Sequence, residues 1–159
     1  MTDLRLWPMD RAEFDAWRGD VVRAFAEEQV AAGSWPADEA IELATKSNDA
    51  LLPDGFDTEG MRFYTGRIAD GTRVGVLWLG LTHPRGKPDC AFIYDIEIHE
   101  PYRGSGYGRA LLAAVDAEVR AHGLSAVELN VFADNTRAVR LYETSGFAVV
   151  TQQMRKSVD

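Results

Sequence analysis

The pattern of hydrophobic and polar positions in the first third of the chain is mainly helical. Apolar residues recur every three or four positions over residues 10–32, and Asp10 stands three residues before Glu13, which is the spacing of a capping box. A second run of this kind covers residues 36–51, and apolar residues alternate over residues 4–8. We therefore predict a short strand and two helices. In the first helix the residues at helical spacing are Phe14, Trp17, Val21, Val22, Phe25 and Val30, and Trp17 is expected to lie in the core.

Beyond residue 60 the apolar positions come in short runs that are typical of strands. Two such runs are joined at Asp70-Gly71, a strong hairpin signal. Strands are predicted over residues 61–68, 73–81, 91–99, 127–131 and 147–154, with a helix from about Gly108 to Gly123 and a short one from Asn135 to Gly146. Strands flanked by helices in this order predict an α/β (α+β) fold with one mixed, mostly antiparallel sheet covered on both faces.

The heptapeptide Arg-Gly-Ser-Gly-Tyr-Gly-Arg at residues 103–109 carries the clearest chemistry. It lies between a predicted strand and a predicted helix, so its free N–H groups and the positive end of the helix dipole form an anion site. The flanking arginines add forked donors that suit phosphate. The segment matches neither the Walker A loop nor the dinucleotide fingerprint. A plain glycine turn is the alternative.

This loop resembles the acyl-CoA loop of the GNAT N-acetyltransferase superfamily, Arg/Gln-x-x-Gly-x-Gly/Ala, through Arg103, Gly106 and Gly108. Residues 95–103 resemble the family's fourth strand and the turn after it. Residues 135–147 resemble its second hallmark, Asn-x-x-Ala-x-x-Leu-Tyr-Glu-x-x-Gly-Phe. The resemblance implies one domain over residues 1–159, a sheet of about six to seven strands, and a splay between strands 91–99 and 125–132. Residues 1–60 would form the acceptor side and residues 61–156 the sheet and acyl-CoA core.

The resemblance also implies which residues hold acetyl-CoA, the expected co-substrate. The loop would bind the pyrophosphate, and unpaired backbone groups of the splayed strand would bind the pantetheine arm and polarise the thioester carbonyl. Asn135 could contact pantetheine, cap the next helix, or do both. The expected cofactor-binding residues are Ile96, Ile98, Arg103, Gly104, Ser105, Gly106, Tyr107, Gly108, Arg109, Asn135 and Ala138.

Two catalytic residues are expected, without a metal. The resemblance implies that Tyr142 protonates the leaving thiolate, and a phenol is protonated at neutral pH. Glu97 alternates with Ile96 and Ile98, so its carboxylate faces the other side of the strand and could deprotonate the amine. Asp95 lies on the same face, and water is a third possibility for the base.

Composition narrows the range of partners and of cellular locations. The net charge is −8, and residues 10–60 hold 13 acidic and 4 basic side chains, so a cationic amine acceptor, small molecule or peptide, fits better than nucleic acid. A single cysteine, Cys90, fits a reducing cytoplasm, and neither a membrane span nor a signal peptide is expected. A homodimer is possible. The expected function is acetyl transfer from acetyl-CoA to a primary amine in a ternary complex. A non-catalytic acyl-CoA-binding module and a nucleotide-binding enzyme are the alternatives.

Overall fold

A computed structural model describes residues 2–159 of the chain. The residues through Leu129 form one compact unit, and Asn130–Asp159 form a second. The prediction of a single domain, with an acceptor side and an acyl-CoA core, stays a prediction. The elements in chain order are β1 (Arg5–Pro8), α1 (Arg11–Ala31), α2 (Ala40–Leu51), β2 (Met61–Arg67), β3 (Arg73–Gly80), β4 (Cys90–Ile98), α3 (Tyr107–Ala121), β5 (Ala126–Leu129) and α4 (Thr136–Thr144).

The start of α1 confirms the predicted capping box. The Asp10 carboxylate accepts from the Glu13 backbone N–H at 2.8 Å, and the Glu13 carboxylate accepts from the Asp10 N–H at 3.4 Å. These two bonds satisfy backbone donors that have no partner within the helix. The second helix begins later than its apolar pattern indicates, because residues 36–39 form a turn in which Glu39 N–H donates to Pro36 O.

The five strands form one sheet in the order β1-β2-β3-β4-β5. The first four pair antiparallel, and β5 pairs parallel to β4. The predicted hairpin between β2 and β3 turns at Gly71, whose φ is +87°, a left-handed conformation that suits glycine. This is the mixed, mostly antiparallel sheet that the sequence predicts.

The strand count differs from the expected six to seven, and the predicted last strand over residues 147–154 is wrong. These residues have no strand structure, and Val149, Val150 and Met154 are 63%, 65% and 89% exposed. Their residue types favour strands, but a β-propensity reflects the fit of a side chain to a pleated, half-buried surface. Residue types alone therefore do not make this segment a strand, and the sheet of the described residues contains only β1 to β5.

Helices cover both faces of the sheet. On the α1 face, Phe14 and Trp17 of α1 pack against Phe63, Val76 and Trp78 of the central strands. On the α3 face, the core includes Leu4, Val74, Ile96, Ile98 and Leu111. The apolar residues that recur at helical spacing along α3 are all buried, namely Leu111, Leu112, Val115 and Val119.

None of the helices within residues 2–159 is long and apolar enough to cross a membrane.

Candidate active site

The parallel ladder between β4 and β5 covers less than half of β4. It pairs residues 90–93 with residues 126–129 and ends at Ile93 and Leu129. The rest of β4 continues to Ile98 and pairs with β3 on its other side, and no strand of the described chain pairs with it on the β5 side. This is the predicted splay, and it leaves an open edge of backbone over residues 94–98.

Hydrogen bonding at the end of β4 shows which backbone groups face this open edge. The N–H of His99 donates to Val74 O of β3 at 2.8 Å. Backbone groups of successive strand residues point to opposite sides, so the groups of Ile98 and Ile96 point away from β3. These are the two residues expected to bind the pantetheine arm. An extended, amide-containing chain could therefore pair with β4 in the way an added strand does.

A β-bulge in β4 changes the faces that its side chains occupy. The register passes from Ile93 opposite Leu79 to Asp95 opposite Trp78, so Tyr94 is an extra residue in the ladder. Tyr94 stacks on Trp78 with ring centroids 4.8 Å apart. Both Tyr94 and Asp95 consequently lie on the α1 face, where strict alternation would have placed only one of them.

Asp95 is held by α1. The indole Nε1–H of Trp17 donates to Asp95 Oδ2 at 2.9 Å. That indole is itself fixed by rings at centroid distances of 5.7 Å from Phe14, 5.3 Å from Phe63 and 5.5 Å from Trp78. The hydrogen-bonded carboxylate therefore has one defined orientation on the face opposite Ile96 and Ile98.

Burial and neighbouring acids perturb this carboxylate. The pKa of Asp95 is raised to about 6, mainly by burial and in part by the negative charges of Glu97 and Glu28, against a lowering by the Trp17 hydrogen bond. Burial also raises the pKa of Glu28, on α1, with a contribution from Glu97. Three carboxylates from α1 and β4 thus act on one another, and a carboxylate with this pKa can exchange protons near neutral pH.

Glu97 lies on the same face as Asp95 but in a different environment. Its side chain is 48% exposed, and its carboxylate accepts from Arg103 Nη2 at 3.1 Å. The same guanidinium donates from Nε to Ile98 O at 2.8 Å. Arg103, expected to contact the cofactor, therefore also ties the end of β4 to the glycine loop.

The glycine loop has the geometry of an anion site. Gly104 and Gly106 have φ values of +80° and +87°, and α3 begins directly after Gly106, which provides no side-chain cap. A Cβ at Gly104 would meet no atom within 4 Å, so there is room above the backbone. Uncapped N–H groups at the start of a 15-residue helix, next to open space, fit a pyrophosphate.

The other loop residues occupy distinct surroundings. Ser105 is exposed, and its carbonyl accepts from the Thr2 hydroxyl at 3.4 Å. Tyr107 packs on the α3 face with the cluster around Leu111, and Gly108 is partly buried in the first turn of α3. Arg109 is exposed on the same turn.

The remaining expected residues lie in the second unit. The Asn135 side-chain oxygen caps α4 by accepting from Ala138 N–H at 3.3 Å. The amide nitrogen of Asn135 is the group that would donate to a cofactor carbonyl, so the two expected roles are compatible. Tyr142 is partly buried on α4, and its ring meets Phe147 edge-on at 5.7 Å.

A separate polar cluster joins the loop after β3 to β5. Metal-ligating atoms of His83, Cys90 and Glu128 lie within 4.8 Å of one another. However, His83 Nδ1 accepts from the Arg85 N–H at 3.0 Å, so the neutral ring carries its proton on Nε2, where it donates to Glu128. The Lys87 ammonium also donates to Glu128 at 2.8 Å.

This arrangement is an ion-paired network rather than a metal centre. Hydrogen bonds from Lys87 and His83 lower the pKa of Glu128. Burial and the Glu128 charge raise the pKa of Cys90, which keeps its thiol protonated and unreactive. A metal would have to displace Lys87 and reverse the His83 tautomer, so the residues do not fit that use.

The sequence pattern missed three features of the site, which are the bulge at Tyr94, the bond from Trp17 to Asp95, and the pairing of Arg103 with Glu97. A bulge without glycine has no local signal. Trp17 and Asp95 are 78 positions apart, and the helical register of Trp17 indicates only that it is buried. The Arg103–Glu97 pair forms because of the path of the chain between β4 and α3, and the positions of the two charges in the sequence do not reveal that path.

Comparisons with known proteins agree with this geometry. Residues 22–147 match the model of the acetyltransferase (GNAT) family. The uncharacterized N-acetyltransferase YycN of Bacillus subtilis (strain 168) is 36% identical over 155 residues, covering 98% of this chain and 99% of that protein. The crystal structure of YycN has a TM-score of 0.92 at 35% identity, with 98% of this chain and 99% of that chain covered.

A more distant structure shares the fold alone. The structure of AAC(6')-Iy in complex with the bisubstrate analog CoA-S-monomethyl-acetylneamine has a TM-score of 0.62 at 15% identity, with 99% of both chains covered. The family model spans most of the sequence, and YycN matches nearly its whole length. Together with the open edge of β4 and the glycine loop at α3, these matches show that the chain belongs to the GNAT acetyltransferase family.

Proposed function

We propose that this protein transfers the acetyl group of acetyl-CoA to a primary amine, directly, in a ternary complex. The observation that carries the proposal is the continuity of the open β4 edge with the glycine loop. The edge over residues 94–98 offers backbone groups to a pantetheine arm, and the loop at the start of α3 offers N–H groups to the pyrophosphate. The family uses acetyl-CoA, and these two features suit the two halves of that molecule.

The chemistry needs an acid for the leaving thiolate and a base for the amine. We assign the acid to Tyr142, on the resemblance of residues 135–147 to the family's second hallmark. We assign the base to a carboxylate on the α1 face of β4, either Glu97 or Asp95. When bound, acetyl-CoA supplies the activated acyl group. The residues described here bind it, orient the amine and move protons.

The acceptor side favours a cation. Glu28, Asp95 and Glu97 act on one another at the α1 face, and residues 10–60 carry most of the chain's negative charge. Such a field attracts an ammonium and raises its local concentration. The proposed acceptor is therefore a small molecule or peptide with a primary amine.

Two glycines with matched strain test the cofactor site. Gly104 and Gly86 both have positive φ (+80° and +73°), and a Cβ at either position would meet nothing within 4 Å. Alanine at either position is therefore strained by the same amount but causes no clash. We expect Gly104→Ala to weaken acetyl-CoA binding in calorimetry by about tenfold or more, because the loop backbone must approach the phosphates. Gly86→Ala, in the loop after β3, is expected to bind as wild type.

Turnover is tested by release of free thiol from acetyl-CoA across a panel of amines. Thiol release that depends on the amine supports the proposal. Binding of acetyl-CoA without thiol release for any amine would favour the non-catalytic module. Tighter binding of ATP or NAD than of coenzyme A would favour a nucleotide enzyme instead.

A further inference from the structure

We propose that Asp95, rather than Glu97, is the catalytic base, and that Trp17 is the residue that positions it. This inference rests on the proposed function and names the residue that performs one of its steps. The geometry distinguishes the two carboxylates. Asp95 sits at the bulge, partly buried, with one oxygen fixed by the Trp17 indole at 2.9 Å. Glu97 is half exposed and paired with Arg103 at 3.1 Å.

The salt bridge argues against Glu97 as the base. Its carboxylate accepts from a guanidinium that also holds Ile98 O, so one of its oxygens serves to fix the end of β4. Protonation of Glu97 during each turnover would weaken that link at the moment the cofactor must be held. None of the groups that shift the pKa of Asp95 is a cation, so its oriented carboxylate can accept a proton without breaking an ion pair.

The bulge explains why Asp95 is suited to the task. Because Tyr94 is an extra residue in the ladder, the Asp95 side chain points toward α1, on the same face as the neighbouring Tyr94 side chain. The ring of Tyr94 and the indoles of Trp17 and Trp78 surround this position with apolar surface. Such surroundings favour the neutral form of a carboxyl group, and the pKa of Asp95 is raised to about 6.

Asp95 begins the proposed transfer by removing a proton from the substrate. The Asp95 carboxylate takes one proton from the substrate ammonium, and the amine nitrogen attacks the thioester carbonyl carbon. The N–C bond forms, the C–S bond breaks, and its electron pair goes to the sulfur. The Tyr142 hydroxyl gives its proton to the thiolate, its phenolate takes up the second nitrogen proton, and Asp95 releases its proton to water. The net products are an N-substituted acetamide, coenzyme A and one proton.

The groups that face Asp95 set its pKa, and this pKa determines the acid limb of the pH profile, where activity falls as the pH decreases. Substitution of these groups should therefore shift that limb. These groups are the Trp17 indole and Glu28 from α1 and Tyr94 and Glu97 from β4, whereas the facing β3 residues Val76 and Trp78 are not titratable. Trp17→Phe removes a donor to the carboxylate, so the limb should move to higher pH. Glu28→Gln removes a negative charge, so the limb should move to lower pH.

The test is kcat/KM for the amine against pH at saturating acetyl-CoA, on folded protein. The wild type should lose activity as the pH falls through about 6. Asp95→Asn should lower kcat at pH 7.5 by roughly 100-fold or more while leaving acetyl-CoA affinity unchanged. Glu27→Gln, the neighbouring α1 acid that does not act on Asp95, is the matched control and should leave the limb in place.

Each outcome decides something. If Asp95→Asn turns over like wild type, or if the Trp17 and Glu28 variants do not move the limb in opposite directions, Asp95 is not the base. If circular dichroism shows that Asp95→Asn does not fold, the opposite shifts of the acid limb in Trp17→Phe and Glu28→Gln become the test of Asp95 as the base. If the wild type acetylates no amine, the proposed function itself is wrong. This result differs from a failure of the Asp95 assignment, in which the wild type is active but the variants do not respond as expected.

Discussion

Gly75 on β3 lies beside the part of β4 that carries the candidate site, and we expect Gly75→Ala to disturb that part of β4. Gly75 pairs with Ile98 in the ladder. A Cβ on Gly75 would lie 2.5 Å from the backbone oxygen of Glu97 and 2.9 Å from Ile98 Cδ1. The first contact is with backbone, which cannot rotate away, so β3 and β4 must separate locally.

The cost follows from this overlap. Forcing one extra methyl into a packed position destabilises by about 1–3 kcal/mol. For a chain of this size, each kcal/mol lowers the melting temperature by roughly 2–4 °C. We therefore expect a decrease of about 2–12 °C, and a weaker affinity for acetyl-CoA because the backbone of Ile98 faces the open edge.

The assay compares thermal unfolding of Gly75→Ala with Gly19→Ala. Gly19 lies within α1, and a Cβ there would meet nothing within 4 Å. Alanine in a helix interior is favoured over glycine by about 0.5–1 kcal/mol, so this control should raise the melting temperature. If Gly75→Ala is as stable as wild type and binds acetyl-CoA equally well, the reasoning that a Cβ at position 75 forces β3 and β4 apart is refuted.

Two further substitutions probe the acid and the polar network. Tyr142→Phe should lower kcat by about 100-fold with little change in acetyl-CoA affinity, measured by thiol release and calorimetry, and an unchanged kcat would remove Tyr142 as the acid. Glu128→Gln should lower the free energy of unfolding at pH 7 by about 1 kcal/mol, because it breaks the bonds to Lys87 and His83. The folded-state pKa of Glu128 is lowered, so its stabilising contribution is present above the ordinary glutamate pKa and is lost as the pH falls through the folded value. Urea unfolding should therefore show the two proteins converging as the pH falls below the ordinary glutamate pKa, and a difference that stays constant with pH would contradict this account.

Local signals in the sequence were sufficient for most of the fold. The capping box at Asp10, the apolar stripe of α3 and the hairpin at Gly71 each depend on residues within a few positions of one another. The last predicted strand failed because pairing is not local. The segment 147–154 has the residue types of a strand, but the sheet formed by the described residues ends at β5.

The candidate site divides in the same way. The glycine loop at residues 103–109 and the start of the helix after it could be predicted, because glycines, arginines and a helix start all occur in one short segment. The orientation of Asp95 could not, because it depends on a bulge opposite Trp78 and on an indole from another element. Sequence alone therefore left Glu97, Asp95 and water open as the base, and the different contacts of the two carboxylates support the proposal of Asp95.

The glycines of β3 show that the shape of β4 is encoded in its neighbour. Glycine inside a strand weakens it and often marks a bulge or a close approach. A Cβ on Gly80 would lie 2.7 Å from the Tyr94 ring, at the bulge, and a Cβ on Gly75 would strike Glu97 O, near the end of the strand. Larger residues at either position would push β4 away from the arrangement that turns Asp95 toward α1 and leaves Ile96 and Ile98 facing an open edge. The absence of a Cβ at these two glycines therefore lets one strand present a carboxylate on one side and the backbone of Ile96 and Ile98 along its edge.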